Sequence, residues 1–183
     1  MPSDEQLISG CINGEEKYRY LLYKQYSPML YGTALRYTKT EEDAQDVLQE
    51  AFILIFDNIA QYNGKGKLVA WMNKIVINQA LKLYQKQIKK NILVDYEEYE
   101  NTLTDYSIVE SDWLGYQLLL NMIRQLPEGY QMVFNLCEIE GYSYEEVSKM
   151  LKCSTSTCRS QLFKAKKKLK QKIIDFQNKK ELL

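Results

Sequence analysis

The residues best suited to chemistry lie between Ser156 and Lys167, and the chemistry they suit is recognition rather than bond making. On a helical wheel Ser156, Ser160, Phe163 and Lys167 share one face, with Arg159 and Lys164 at its flanks. That face carries hydroxyl, guanidinium and ammonium donors and one aromatic ring. These are the groups with which a helix in a major groove meets base edges and covers a thymine methyl. Cys158, Leu162, Ala165 and Leu169 fall in a narrow arc on the other side and are expected to be buried. Phe163 is the informative residue, because a merely solvated helix gains nothing from an outward phenyl ring. The plainer alternative is a lysine-rich helix on the outside of a bundle.

Two further residue sets have a direction of their own. Lys74, Asn78, Lys82 and Gln85 or Lys86 are spaced by threes and fours on a helix predicted from Leu68 to about Gln87. Before it runs QYNGKGK (61 to 67), a loop in which Asn63, Lys65 and Lys67 alternate with glycines, and Trp71 lies between the helix faces. A lysine stripe is commonly just a solvated face. One without a single balancing carboxylate, beside Tyr62, also fits single-stranded or duplex nucleic acid. The third set is acidic: Asp43, Asp46, Gln49 and Glu50 lie outside the apolar stripe Ala44, Val47, Leu48, Ala51, Phe52, Ile55 and Ile59. A helix start attracts carboxylates through its dipole. That explains Glu41 to Asp43 but not Asp46 or Glu50.

Charge along the chain sharpens these readings. The formal net charge is zero, with 24 basic and 24 acidic residues, yet the signs are segregated. Glu41 to Asp57 and Asn91 to Ile123 contain acids and no base; Gly64 to Lys90 contains lysines and no acid. From Lys149 to Lys180, Asp175 is the lone acid among Lys and Arg residues. Two cationic blocks therefore hide inside a neutral average. Enzyme classes are disfavoured: the chain has no histidine, no glycine-rich phosphate loop, no GxSxG and no metal-ligand cluster. No cofactor or metal is expected. The cysteines, Cys11, Cys137, Cys153 and Cys158, have no CxxC spacing and read as small buried apolar groups rather than a disulfide framework. The first residues do not form a signal peptide, and the longest apolar run, Ala51 to Phe56, is too short to span a bilayer. A cytoplasmic chain without membrane insertion is expected.

The elements needed to hold these faces are all helical. Ser3 with Gln6 is a capping box for a helix ending near Gly14. A helix is predicted over Glu15 to Tyr26, and Ser27-Pro28 starts another through Leu35. Thr40 caps the acidic helix to about Ala60, and the Leu68 helix is expected to bury Val69, Met72, Ile75, Val76, Ala80 and Leu83. Asn91 to about Ser111, acidic and without period, reads as a linker. Asp112 caps a helix to Leu126. Pro127 opens the next, with Tyr130, Val133, Phe134, Cys137 and Ile139 on its stripe and Gly141 at its end. Ser143 with Glu146 boxes a short helix over Tyr144 to Leu151 that buries Val147, Met150 and Leu151. Lys152 and Cys153 turn the chain, and Ser154 caps a helix to about Lys172, giving a helix-turn-helix.

The runs DAQDVLQEAFILIFDNIAQYNGKGKLVAWMNKIVINQAL (43 to 81) and LPEGYQMVFNLCEIEGYSYEEVSKMLKCSTSTCRSQLFKAKKKL (126 to 169) resemble bacterial sigma factors of the extracytoplasmic-function type. The resemblance implies an all-α fold of two small helical domains joined by an acidic flexible linker, the C-terminal domain containing the helix-turn-helix. Its divisions would be residues 1–90, 91–111 and 112–183. It implies a non-catalytic specificity subunit of RNA polymerase, with core RNA polymerase and promoter DNA as partners. Asp43, Asp46, Gln49 and Glu50 match the DxxDxxQE pattern that docks on a coiled coil of the largest polymerase subunit. Asn63, Lys65, Lys67, Trp71, Lys74 and Asn78 occupy positions that meet the minus-ten element. Ser156, Arg159, Ser160, Phe163, Lys164 and Lys167 fall to the minus-thirty-five element. An inhibitory anti-sigma factor is common in the family, but these residues do not encode its existence. Carboxylates at Asp95, Glu97, Glu98 and Glu100 would mimic nucleic acid along the polymerase path, or belong to a plain tether. The chain departs from the family where Lys152, and often Ser156, replace glycine.

Overall fold

A computed structural model describes residues 2–91 and 112–181, so the linker reading and its carboxylates lie outside the described residues. Every regular element described is helical: α1 (Asp4–Ile12), α2 (Glu16–Tyr37), α3 (Glu41–Asn58), α4 (Leu68–Asn91), α5 (Asp112–Arg124), α6 (Glu128–Phe134), α7 (Tyr144–Leu151) and α8 (Thr155–Glu181). The chain divides into two compact units, Met1–Leu83 and Tyr84–Leu183.

In the first unit α2 is a single helix, where Ser27-Pro28 reads in sequence as a break. Leu22, Tyr26, Leu30, Ala34 and Tyr37 are all buried at helical spacing on both sides of Pro28. Breaking there would turn half of that stripe into water, which outweighs the roughly 3 kcal/mol a mid-helix proline costs. The proline ring itself is exposed. The Ser3–Gln6 capping box is present, and the Tyr26 hydroxyl donates to the Asp4 carboxylate, fastening α1 to α2. On α3 the buried set is the expected one, with Thr40 Oγ1 accepting from the Asp43 N–H at 3.0 Å.

The seam of α4 is rotated from the expected one. Leu68, Met72, Val76, Ile77, Ala80 and Leu81 are buried, whereas Val69, Ile75 and Leu83 are only half-buried. The helix carries more apolar residues than one stripe can hold, so periodicity alone does not choose the rotation. A polar contact helps to fix it: the buried Thr33 hydroxyl donates to Asn73 Oδ1 at 2.9 Å.

In the second unit Met122 and Ile123 of α5, Leu126, and Ala165 and Leu169 of α8 form one buried cluster, with Leu118, Tyr130 and Phe134 against it. Asp112 is the first helical residue of α5 rather than its cap. Past α6 the helix widens into a π turn over Asn135–Ile139. The extra residue rotates everything beyond it off the α-helical stripe, so Ile139 is exposed rather than buried. Gln131 and Asn135 are instead fully buried, and Asn135 Nδ2 donates to the Gln131 carbonyl at 3.0 Å. On α7 Val147 is buried, but Met150 and Leu151 are half-buried, as a two-turn helix has one narrow inward face.

Candidate nucleic-acid and polymerase interfaces

The helix-turn-helix is built by local rules. Glu146 accepts the Ser143 N–H at 2.8 Å while Ser143 Oγ accepts the Glu146 N–H at 3.3 Å, so α7 starts with two of its free donors satisfied. It ends at Lys152, whose backbone is left-handed with φ 54°, and the Cys153 N–H closes the cap onto the Ser148 carbonyl at 3.0 Å. Ser154 Oγ then accepts the Thr157 N–H at 3.0 Å and opens α8.

The buried side of α8 is Cys158, Leu162, Ala165 and Leu169, as its spacing requires. Ser156, Arg159, Ser160, Phe163, Lys164 and Lys167 are all exposed, Phe163 to 70%. The structure therefore gathers the whole predicted face onto one helix side. Its hydroxyls are partly engaged: Ser160 donates to the Thr157 carbonyl at 3.0 Å, and Ser156 and Ser154 share a hydrogen bond of 2.8 Å. The Arg159 guanidinium lies 5.4 Å from the centroid of the Tyr144 ring, which limits its swing. Lys166 is paired with Glu138 at 2.9 Å, and that hydrogen-bonded pairing raises its pKa. Lys164 and Lys167 are exposed on the same side as Phe163.

The first unit holds the other two sets. In the loop the Lys65 N–H donates to Asn63 Oδ1 at 3.0 Å and the Tyr62 hydroxyl donates to the Gly66 carbonyl at 2.6 Å. Gly64 and Gly66 take positive φ, 73° and 87°, which is what their type permits. The Tyr62 and Trp71 rings meet tilted by 54°, 5.8 Å between centroids, so the loop is folded back onto the start of α4. Asn63, Lys65 and Lys67 are exposed on it, Trp71 is half-buried, and Lys74 and Asn78 are exposed one turn apart, with Lys82 one turn further. On α3 Asp46, Gln49 and Glu50 are exposed, and Asp43 is half-buried beside its cap.

An apolar groove of about 700 Å³ between α2 and α3 is the feature that sequence reasoning missed. Tyr23, Pro28 and Tyr31 line it from α2, and Phe52, Ile53 and Gln49 from α3, so it adjoins the acidic face. Ile53, 48% exposed and outside the buried stripe of α3, was the available signal.

With these faces in view, two family models match the chain: Sigma-70 region 2 over residues 22–89 and Sigma-70, region 4 over residues 116–169. The chain belongs to the sigma-70 family. Its relatives set this sigma-70 chain in the extracytoplasmic-function branch. It is 29% identical to the ECF RNA polymerase sigma-E factor of Haemophilus influenzae over 93% of this chain and 95% of that one. The sigma-E factor of Escherichia coli K12 is likewise 29% identical, covering 93% and 94%. The RNA polymerase sigma-H factor of Pseudomonas aeruginosa is 28% identical, covering 89% and 90%. Among solved structures, RpoE from Bartonella quintana in complex with the anti-sigma factor NepR aligns with TM-score 0.51 at 18% identity, over 84% of this chain and 95% of that one. CnrH in complex with the cytosolic domain of CnrY aligns with TM-score 0.50 at 19% identity, over 94% and 97%. At such identities the sigma-70 chain shares their all-helical fold. No helix among the described residues is long and apolar enough to cross a membrane.

Proposed function

We infer that the chain is a sigma factor that binds core RNA polymerase and directs promoter-specific transcription initiation. The observation that carries this is the pair of region matches, in order in one chain, each with an exposed cationic face free of acids. In this reading residues 1–90 dock on the core and meet the minus-ten element, residues 91–111 join the units, and residues 112–183 read the minus-thirty-five element. Asp43, Asp46, Gln49 and Glu50 bind the polymerase. Asn63, Lys65, Lys67, Trp71, Lys74 and Asn78 hold the opened minus-ten strand, where capture of a flipped base offsets an unstacking cost of a few kcal/mol. Ser156, Arg159, Ser160, Phe163, Lys164 and Lys167 read the upstream duplex.

Each unit offers few base contacts, so neither binds promoter DNA tightly alone, and the core supplies the spacing between them. The protein acts in the cytoplasm, where the polymerase works. An anti-sigma factor of the kind seen with RpoE is a candidate inhibitor. The test is co-elution of the chain with core polymerase. Reversing charge at Asp46 and Glu50 (Asp46→Lys with Glu50→Lys) is expected to abolish co-elution while helical circular dichroism is retained. Undiminished co-elution would remove α3 from the polymerase contact.

A further inference from the structure

Cys153 immediately precedes the Ser154 cap of α8, and Cys158 lies four residues beyond that cap. These are the two positions whose side chains meet across a helix start and fix the angle at which the chain joins it. Here both are thiols, with their sulfurs 3.4 Å apart. Cys158 is fully buried and Cys153 only half-buried, so an oxidant arriving from solvent meets Cys153 first.

We propose that Cys153 and Cys158 are a modification site: a dithiol at the base of the recognition helix that closes into a reversible disulfide on exposure to hydrogen peroxide. The Cys153 sulfur attacks one peroxide oxygen, the O–O bond breaks, and one water leaves, giving a sulfenic acid on Cys153. The Cys158 sulfur then attacks the Cys153 sulfur. The S–O bond breaks, and its hydroxide departs with the Cys158 proton as a second water. Two thiols have lost two electrons and two protons, and one peroxide has become two waters. Burial, reinforced by the contact with Cys153, pushes the Cys158 thiol up to about 12, so Cys158 stays protonated and is not the sulfur that meets peroxide first. Such transient bonds are the usual kind in a reducing compartment, and they differ from the structural framework that the cysteine spacing argues against.

Closing the bond draws the sulfurs from 3.4 Å to about 2.0 Å. The movement falls on the first turns of α8, where Ser156, Arg159 and Ser160 stand. Resting on the sigma-factor reading, the consequence is weaker use of the upstream element by the oxidised chain. Transcription with core polymerase is expected to fall about tenfold, the worth of one good base contact.

Peptide mapping of the full chain after peroxide treatment, alkylated without reduction, tests the bond directly. Both cysteines fall in the one peptide between Lys152 and Arg159 left by cleavage after Lys and Arg. The disulfide therefore appears as a loss of two hydrogens with neither thiol alkylated, and dithiothreitol restores both. Cys153→Ser and Cys158→Ser abolish that signal, whereas Cys137→Ser, which removes a third thiol, leaves it. A peptide that stays fully alkylated, Cys153 halting as sulfinic acid, or a crosslink to Cys137 would overturn the proposal. Initiation that falls on oxidation, recovers with dithiothreitol and is insensitive in Cys153→Ser supports the consequence; unchanged initiation by a chain carrying the mapped bond refutes it. Because mapping needs no transcription, a reduced chain that never initiates at promoters fails the sigma-factor reading and not the thiol chemistry.

Discussion

Lys152 holds a left-handed backbone, φ 54°, at the C-terminus of α7, a conformation that costs a side-chain-bearing residue about 1 kcal/mol relative to glycine. Its side chain is exposed, so Lys152→Gly removes strain without removing buried contacts. The second unit is expected to gain about 1 kcal/mol, seen in calorimetry as a Tm rise of about 4–8 °C. On the exposed face of α8 the proposed DNA-reading roles predict different behaviour for different residues. Arg159→Ala and Phe163→Ala should relax sequence choice at the upstream element, whereas Lys164→Ala should weaken binding to all sequences and reduce the salt slope by about one. Binding titrations on matched and scrambled duplexes at several salt concentrations separate the two behaviours, and a uniform loss in all three variants would contradict the assignment. This face was legible in the sequence because a solvated helix with one inward seam obeys a single period. Gln131 and Asn135 were not legible, because a buried amide leaves no mark in a hydrophobic pattern.

Helix starts are legible in the sequence where a serine or threonine caps them, and less so where packing overrides a local signal. Ser3, Thr40, Ser143 and Ser154 each accept the backbone N–H that their type and spacing imply. Pro28 pointed to a break that the buried stripe of α2 overrides, and the π turn after α6 follows from no local rule. The α2–α3 groove leaves little mark in the sequence because it belongs to two helices at once. The link from α1 to α2 yields a pH prediction. Burial, followed by the hydrogen bond to Asp4, pushes the Tyr26 hydroxyl up to about 12 from its ordinary 10.0. The folded chain thus holds this proton more tightly than the unfolded one. Its contribution is complete below pH 10 and is lost as pH rises from 10 to about 12. Denaturant unfolding of the natural chain should accordingly weaken across that window more steeply than that of Tyr26→Phe, and parallel curves would refute the linkage.

At the scale of the whole molecule, the segregation of charge is what a neutral composition conceals. An acidic face on α3, a cationic loop and stripe on α4, and a cationic helix α8 lie on two compact units. Composition alone argues nothing about nucleic acid, since the total charge is zero. The order of the blocks argues for it, and region 2 and region 4 matches fall on the same stretches. The account therefore depends on both units addressing one start site while the polymerase sets their separation. Transcription of whole genomic DNA by core polymerase with and without the chain, with RNA 5′ ends sequenced, tests this most directly. The expected result is new start sites preceded by two shared short elements at fixed separation, with Arg159→Ala altering the preference at the upstream element alone. Start sites distributed as with core polymerase alone would contradict it.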